Sequence, residues 1–405
     1  MKDLHSPRLI GANHISVSAA STIPTKESSE QKLTQLAEQQ WNLNVANHHK
    51  SHVAELQLYK PMVHSVTPFP SNITLYQLSS SSTQPHPSKL YTCGYGDEFV
   101  TLALNIFPEF SEAIALDANS TLQAQDVLVY GMFAKCLGMK MERFRERHIG
   151  STNFQGKILW VNPEAPKSML EDSRSPHHEY QIGAPINDDS HANTVRVFYM
   201  AIVFGRLPKE LQQMLFDPLQ KPKNTGRHNA VIYINGNCVS FRQEAARKIS
   251  SIVPIHFGGS CKVDVPPANG QVVSVSKRKN YQGNWATFRD YKYCLCMENA
   301  KSRHYITEKI IMAFLGGCIP IYYGTQEVWE VFNAKAFIYY DIDDPAPALE
   351  QIRYLNGNPE AYQRMLEQPI LRNGSRTIED FFSLADSIGH GQLKGRIRSM
   401  LGFAL

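Results

Sequence analysis

The stretch from Tyr291 to Gly324 constrains the fold most. Tyr291 to Met297 (YKYCLCM) is a short apolar run with aromatic residues, and a polar loop follows it. Ile306, Ile310, Ala313 and Phe314 then recur at helical spacing, and Gly316-Gly317 supplies a helix C-cap signal. Ile319 to Tyr323 is a second apolar run, and Ala336 to Tyr340 a third. Strands alternating with helices of this length predict a parallel sheet covered on both faces.

The same rhythm begins upstream. Ala230 to Ile234 (AVIYI) predicts a strand, and Ser240 with Gln243 three residues later has the capping-box pattern of a helix start. Phe241, Ala245 and Ile249 share one face of that helix, and Val253 to Phe257 returns as a strand ending at Gly258-Gly259. Earlier in the chain Asp126–Tyr130 and Lys157–Val161 are expected strands, while Val195–Phe204 fits either a strand or a short buried helix.

Composition sets the limits. The chain has 405 residues, 42% hydrophobic and 19% charged, enough for two ordinary domains. Its formal charge of +4 offers no electrostatic footprint for nucleic acid, so no nucleic-acid partner is expected. The 7 cysteines are widely spaced, which leaves room for one or two bridges in a lumenal protein but is no disulfide framework. Cys294-x-Cys296 lacks a second ligand pair, so no zinc site is expected. Residues 1–30 show no apolar stretch of signal-peptide length, and Gly316, Gly317 and Pro320 break the most apolar run.

These patterns divide the chain into a polar, low-complexity and poorly ordered N-terminal segment (1–90), a first domain (91–215), a second domain (226–385) and a C-terminal tail (386–405). The prolines and lysines of Leu207–Gly226 suit an interdomain connection.

In open parallel sheets, ligands bind beyond the carboxyl ends of the strands. Two such edges carry chemistry. At the first, Asn235-Gly236-Asn237-Cys238 leads to Arg242 in the first helical turn, where free N–H groups and a guanidinium make an anion site. At the second, Glu298-Asn299 is followed by Tyr305, Thr307, Glu308 and Lys309. A lysine in a first turn opposes the helix dipole, so an anion such as a diphosphate is expected beside it.

YKYCLCMEN followed by HYITEKIIMAFLGGCIPIYYG resembles the signature of the GDP-fucose-dependent α1,3/4-fucosyltransferases, glycosyltransferase family 10. NCVSFRQEAARKISSIVPIHFGGSCK resembles that family's preceding segment. The likeness is good over residues 229–345 and loose over 91–205. It implies an α/β fold of two Rossmann-like domains facing a cleft (GT-B), with the acceptor glycan on 91–215 and GDP-fucose on 226–385.

The resemblance further implies that Arg242 and Lys309 hold the donor diphosphate and that Glu308 holds the ribose or the fucose. Tyr305 and Asn299 would line the nucleotide pocket, with Asn237 at its edge, and Glu298 would orient the sugar or structure the loop. Inversion at the anomeric carbon needs a general base. Its best counterpart is Glu164 in KILWVNPEAP, although the family's glycine before the glutamate is absent; Glu171 and Glu179 are lesser candidates.

No cofactor is required on this reading; a divalent cation is allowed but no convincing motif for one is seen, and Asp341–Asp344 (DIDD) are expected to cap the next helix. The partners are GDP-fucose and an oligosaccharide or glycoprotein acceptor. The family implies the Golgi lumen, with a membrane anchor not visible in this chain. Asn72, Asn119 and Asn373 stand in glycosylation sequons, which fits a glycoprotein. Two alternatives remain: a transferase using another nucleotide sugar, and a non-catalytic descendant that binds nucleotide or glycan.

Overall fold

The structure is a computed structural model that describes residues 87–93, 96–117, 119–131, 155–162, 179–183, 193–216, 226–261, 269–273 and 283–404. The expectation for residues 1–86 therefore lies outside the described residues.

Two all-parallel sheets organise the chain. The first contains β1 (Leu90–Cys93), β2 (Ile114–Ala115), β3 (Val127–Gly131), β4 (Lys157–Asn162), β5 (Glu179–Gly183) and β6 (Thr194–Arg196), in the order β2-β1-β3-β4-β5-β6. Helix α1 (Gly96–Ile106) follows β1. VLVYG and ILWVN are buried at every position, as expected of strands covered on both faces. Val195–Phe204 turns out to be both of its alternatives: β6, then α2 (Tyr199–Phe204), with Met200 to Phe204 all buried. Helix α3 (Lys209–Phe216) closes this half.

The second sheet contains β7 (His228–Ile234), β8 (Ile255–Gly258), β9 (Gly270–Val272), β10 (Tyr291–Met297), β11 (Ile319–Tyr323) and β12 (Ile338–Tyr339), in the order β12-β11-β10-β7-β8-β9. The chain leaves β7 toward β9, then returns to the other side of β7 with β10. This reversal is the topological switch point of a Rossmann fold. Val231, Tyr233, Leu295 and Ile321 face one apolar layer, while Ile232, Cys294, Cys296 and Tyr322 face the other. That second layer runs on into residues of the first half, including Val129 and Leu159 of the first sheet and Phe204 of α2.

Helix α4 (Ser240–Ser250) follows β7. Its N-cap is Val239, with no side-chain cap bond, so the capping box expected from Ser240 and Gln243 does not form: Ser240 is already inside the first turn. Helices α5 (Asn284–Phe288) and α6 (Glu308–Gly316) bracket β10. The expected one-sided stripe of α6 is too narrow. Ile310 to Gly316 are all buried, because the helix lies between the sheet and α2, α3 and α5.

Gly317 ends α6 at φ 70°, as the Gly-Gly signal predicts. Gly317 N–H donates to Phe314 O at 2.9 Å and Cys318 N–H to Ala313 O at 3.2 Å. The Arg227 guanidinium also donates to Gly316 O (3.2 Å) and Gly317 O, placing a cation at the negative end of the helix.

Helices α7 (Val328–Val331), α8 (Ala346–Gly357), α9 (Pro359–Leu366), α10 (Ser375–Phe381) and α11 (Gln392–Met400) complete the chain. Asp341–Asp344 do not cap α8, whose N-cap is Pro345; Asp341 instead accepts from Asp343 N–H at 3.0 Å. The stretch expected as a tail, 386–405, is built into the body. Leu393, Ile397 and Leu401, spaced four apart, are fully buried. Arg398 Nη1 donates to both carboxylate oxygens of Glu109 at 3.0 Å and to Ile106 O at 3.1 Å, so α11 docks on the first half.

Candidate functional site

Parallel β7 and β10 are neighbours, so the turns that follow them emerge side by side at the switch point. Asn235 folds the first turn on itself. Its Nδ2 donates to Tyr233 Oη and to Asn237 O, each at 2.6 Å, and its Oδ1 accepts from Asn237 N–H at 3.1 Å. A disulfide between Cys238 and Cys261 ties this turn to the one after β8, and Cys261 N–H donates to Asn235 O at 3.1 Å.

Arg242 joins the two edges. Its side chain is buried (1% exposed), and Nε donates to Glu298 O at 3.1 Å. Nη1 donates to Asn235 Oδ1 at 3.1 Å, with Asn237 O at 3.5 Å, and Nη2 donates to Asn299 Oδ1. Burial draws the arginine pKa down, and electrostatic interaction with Tyr233 and Glu298 opposes that.

Glu298 is wholly enclosed (0% exposed). Oε1 accepts from Thr307 N–H at 2.7 Å and Oε2 from Thr307 Oγ1 at 2.8 Å, so Glu298 caps α6 where the Thr307 side chain does not. Lys309 Nζ donates to Glu298 Oε2 at 3.1 Å and to Thr307 Oγ1 at 2.9 Å. The anion expected beside Lys309 is thus already present in the protein, as Glu298. Burial lowers the Lys309 pKa, but Glu298 and Glu308 outweigh it and hold the ammonium above its ordinary value.

Tyr305 is buried and Glu308 nearly so, whereas Asn237 and Asn299 are exposed at the mouth of the cluster. A cavity of about 20 Å³, room for a water molecule, lies between the ends of β7 and β10 and the start of α6. Asn235, Met297, Glu308 and Lys309 are among its lining residues. The structure therefore brings Arg242, Asn237, Glu298, Asn299, Glu308 and Lys309 to one switch point.

Glu164 and Glu171 lie outside the described residues, and Glu179 starts β5 with its side chain likewise outside them. Asn119 and Asn373 are exposed, while Asn72 is outside the description. Among the described residues no group of three or more His, Cys, Asp or Glu side chains is disposed to hold a metal ion. No helix among them is long and apolar enough to cross a membrane.

Cys294 pairs with Cys318, and Cys93 is also disulfide-bonded. Cys296 is a buried thiol whose Sγ donates to Lys309 O at 3.4 Å, and burial and Glu298 push its pKa well up. Sequence reasoning placed Asn235 at the first edge but missed the bonds by which it folds that turn, and it missed the capping role of Glu298. The Asn-x-Asn turn was the available sign of the former; the latter needs two strand ends to be placed together.

Two Rossmann-like halves with polar clusters at a switch point define the GT-B architecture. A crystal structure of an alpha1,3-fucosyltransferase shares it, with a TM-score of 0.51 at 19% identity, over 79% of this chain and 92% of that one. Residues 224–367 match the family model described as glycosyltransferase family 10 (fucosyltransferase) C-term. Over that stretch the chain is similar to the C-terminal domain of glycosyltransferase family 10.

An Alpha-(1,3)-fucosyltransferase FucT of Helicobacter pylori is 34% identical over 124 residues, 30% of this chain and 23% of that protein. The GDP-fucose protein O-fucosyltransferase 3 of Homo sapiens is 24% identical over 222 residues, 48% of this chain and 45% of that protein. The chain thus spans less than half the length of each of these two relatives.

Proposed function

We propose that this protein transfers fucose from GDP-fucose to a hydroxyl group of a glycan acceptor, with inversion and most simply in α1,3 linkage. One observation carries the reading: Arg242 and Lys309 converge, from two helix starts, on the switch point of the second sheet. A diphosphate leaving group needs positive charge placed before the reaction begins, and this edge supplies it beside two helix N-termini.

In this reading the guanidinium of Arg242 acts mainly through the turns it holds, and Lys309 reaches the phosphate oxygens. Glu308 accepts from ribose or fucose hydroxyls, Tyr305 and Asn299 line the nucleotide pocket, and Asn237 borders it. Glu298 orients Lys309 and Thr307. The general base in this reading is Glu164, two residues after β4 in the sequence. The first half then binds the acceptor and 226–385 the donor. The disulfides favour an oxidising lumen, consistent with a Golgi location.

A second reading differs in the acceptor. The human relative's name specifies protein O-fucosylation, so the accepting hydroxyl would belong to a protein side chain. Incubation with labelled GDP-fucose over lactosamine, N-glycan and folded-domain acceptors separates the two. Label on a glycan supports the first reading and label on an unglycosylated domain the second. Label on neither, with nucleotide still bound, supports a non-catalytic binding protein. Unchanged turnover in Glu164→Gln contradicts the base assignment.

A further inference from the structure

A second polar chain runs from the first sheet to the loop between β10 and α6. His304 in that loop has φ 60°, in the left-handed region, and is the one non-glycine among the described residues to do so. A side chain with a β-carbon disfavours this conformation, so something must hold it there. Glu327 does: its Oε2 accepts the His304 backbone N–H, and its Oε1 stands 2.8 Å from His304 Nδ1.

Both groups are enclosed, His304 at 3% and Glu327 at 14% exposure. Thr325 Oγ1 also donates to Glu327 Oε2, at 3.3 Å. Burial raises the Glu327 pKa, but the hydrogen bonds from His304 and the charge of Arg196 outweigh it, and the carboxyl is held below its ordinary value.

The chain continues across to the first half. Arg196, at the end of edge strand β6, places Nη1 3.8 Å from Glu327 Oε1 and donates from Nη2 to Glu330 Oε2 at 2.9 Å. Its guanidinium lies over the rings of Phe198 and Phe381, each 5.4 Å away, which fixes its direction. Next to this, Met200 N–H of α2 donates to Ile306 O at 3.1 Å. The loop carrying Asn299 and Tyr305 is therefore gripped at two points by the first half.

We propose that Arg196, Glu327 and His304 form a clasp through which the first half sets the position of the Asn299–Tyr305 segment, making Glu327 a positioning residue for nucleotide binding. The inference rests on the nucleotide site proposed above. Glu327 touches no part of that site; it acts through His304, which precedes Tyr305.

Calorimetric titration of the full chain with GDP tests it. Glu327→Ala is expected to weaken GDP about five- to tenfold, the scale of an unsupported left-handed residue. Adding His304→Gly to Glu327→Ala recovers most of that loss, because glycine adopts the left-handed region without support. A purely structural defect would not be rescued by removing a second side chain. Equal GDP affinity in wild type and Glu327→Ala, or no recovery in the double variant, overturns the proposal.

Hydrogen exchange over residues 299–306 decides the clasp independently of ligand. Exchange about tenfold faster in Glu327→Ala, and faster also in Arg196→Met, supports it; unchanged exchange in both overturns it. Failure of wild type to bind GDP overturns the nucleotide reading, and the exchange result still decides the clasp.

Discussion

Lys309 Nζ stands 3.1 Å from Glu298 Oε2, with the carboxylate fully enclosed and the lysine side chain 28% exposed. Glu298 also receives both Thr307 donors, so one buried carboxylate caps α6 and directs the lysine. The ammonium, one of whose three N–H groups meets Glu298 and another Thr307, has one donor beyond these two.

Replacing that carboxylate should therefore damage stability and site together. Glu298→Ala removes the cap and strands a partly buried ammonium, and is expected to cost about 3 kcal/mol. Glu298→Gln keeps the size and one acceptor and should cost about half as much. Urea unfolding of the two variants checks the order; equal midpoints for wild type and Glu298→Ala would contradict the capping role.

Gly324 follows β11 under the same cluster. A β-carbon there would lie 2.3 Å from Tyr322 Oη and 2.9 Å from Glu298 Cγ. Gly324→Ala is expected to displace Glu298 and lower stability by about 1–3 kcal/mol, with weaker GDP binding. Thermal unfolding with and without GDP measures both effects.

The Cys238–Cys261 bridge fixes the turn that supplies the Asn235 and Asn237 acceptors to Arg242. Cys238→Ser with Cys261→Ser should lose about 2–4 kcal/mol and also weaken GDP, since the turn borders the proposed phosphate site. A double variant with lower melting temperature but unchanged GDP affinity would separate that turn from binding.

Glu327 gives a pH signature. Its carboxyl pKa in the folded state lies below the ordinary 4.5, so its stabilisation is present above pH 4.5 and lost as pH falls through the folded value. The stability difference between wild type and Glu327→Gln should stay level from pH 7 to about 5 and shrink below that. Denaturant midpoints across pH 3 to 7 test it; a constant difference would mean that Glu327 is not held as an anion.

Much of the second sheet was readable because parallel, doubly covered strands leave continuous apolar runs such as YKYCLCM and IPIYY. Gly317 was readable for its φ. Ser240 misled because a cap pattern says nothing of which residue leaves helical geometry first, and Val239 does so. The C-terminal helix was missed although Leu393, Ile397 and Leu401 carry its period. Nothing local marks His304 as left-handed or Arg196 as its distant support, since both depend on β6 and the loop after β11 meeting in space.

The most direct test of the account is calorimetric titration of the wild-type chain with GDP-fucose, with UDP- and CMP-sugars as competitors and Lys309→Ala beside it. The account predicts GDP-fucose binding at least about tenfold tighter than either competitor, and a loss of about 10- to 100-fold in Lys309→Ala. Tighter binding of a UDP- or CMP-sugar, or GDP-fucose binding indifferent to Lys309, would contradict it.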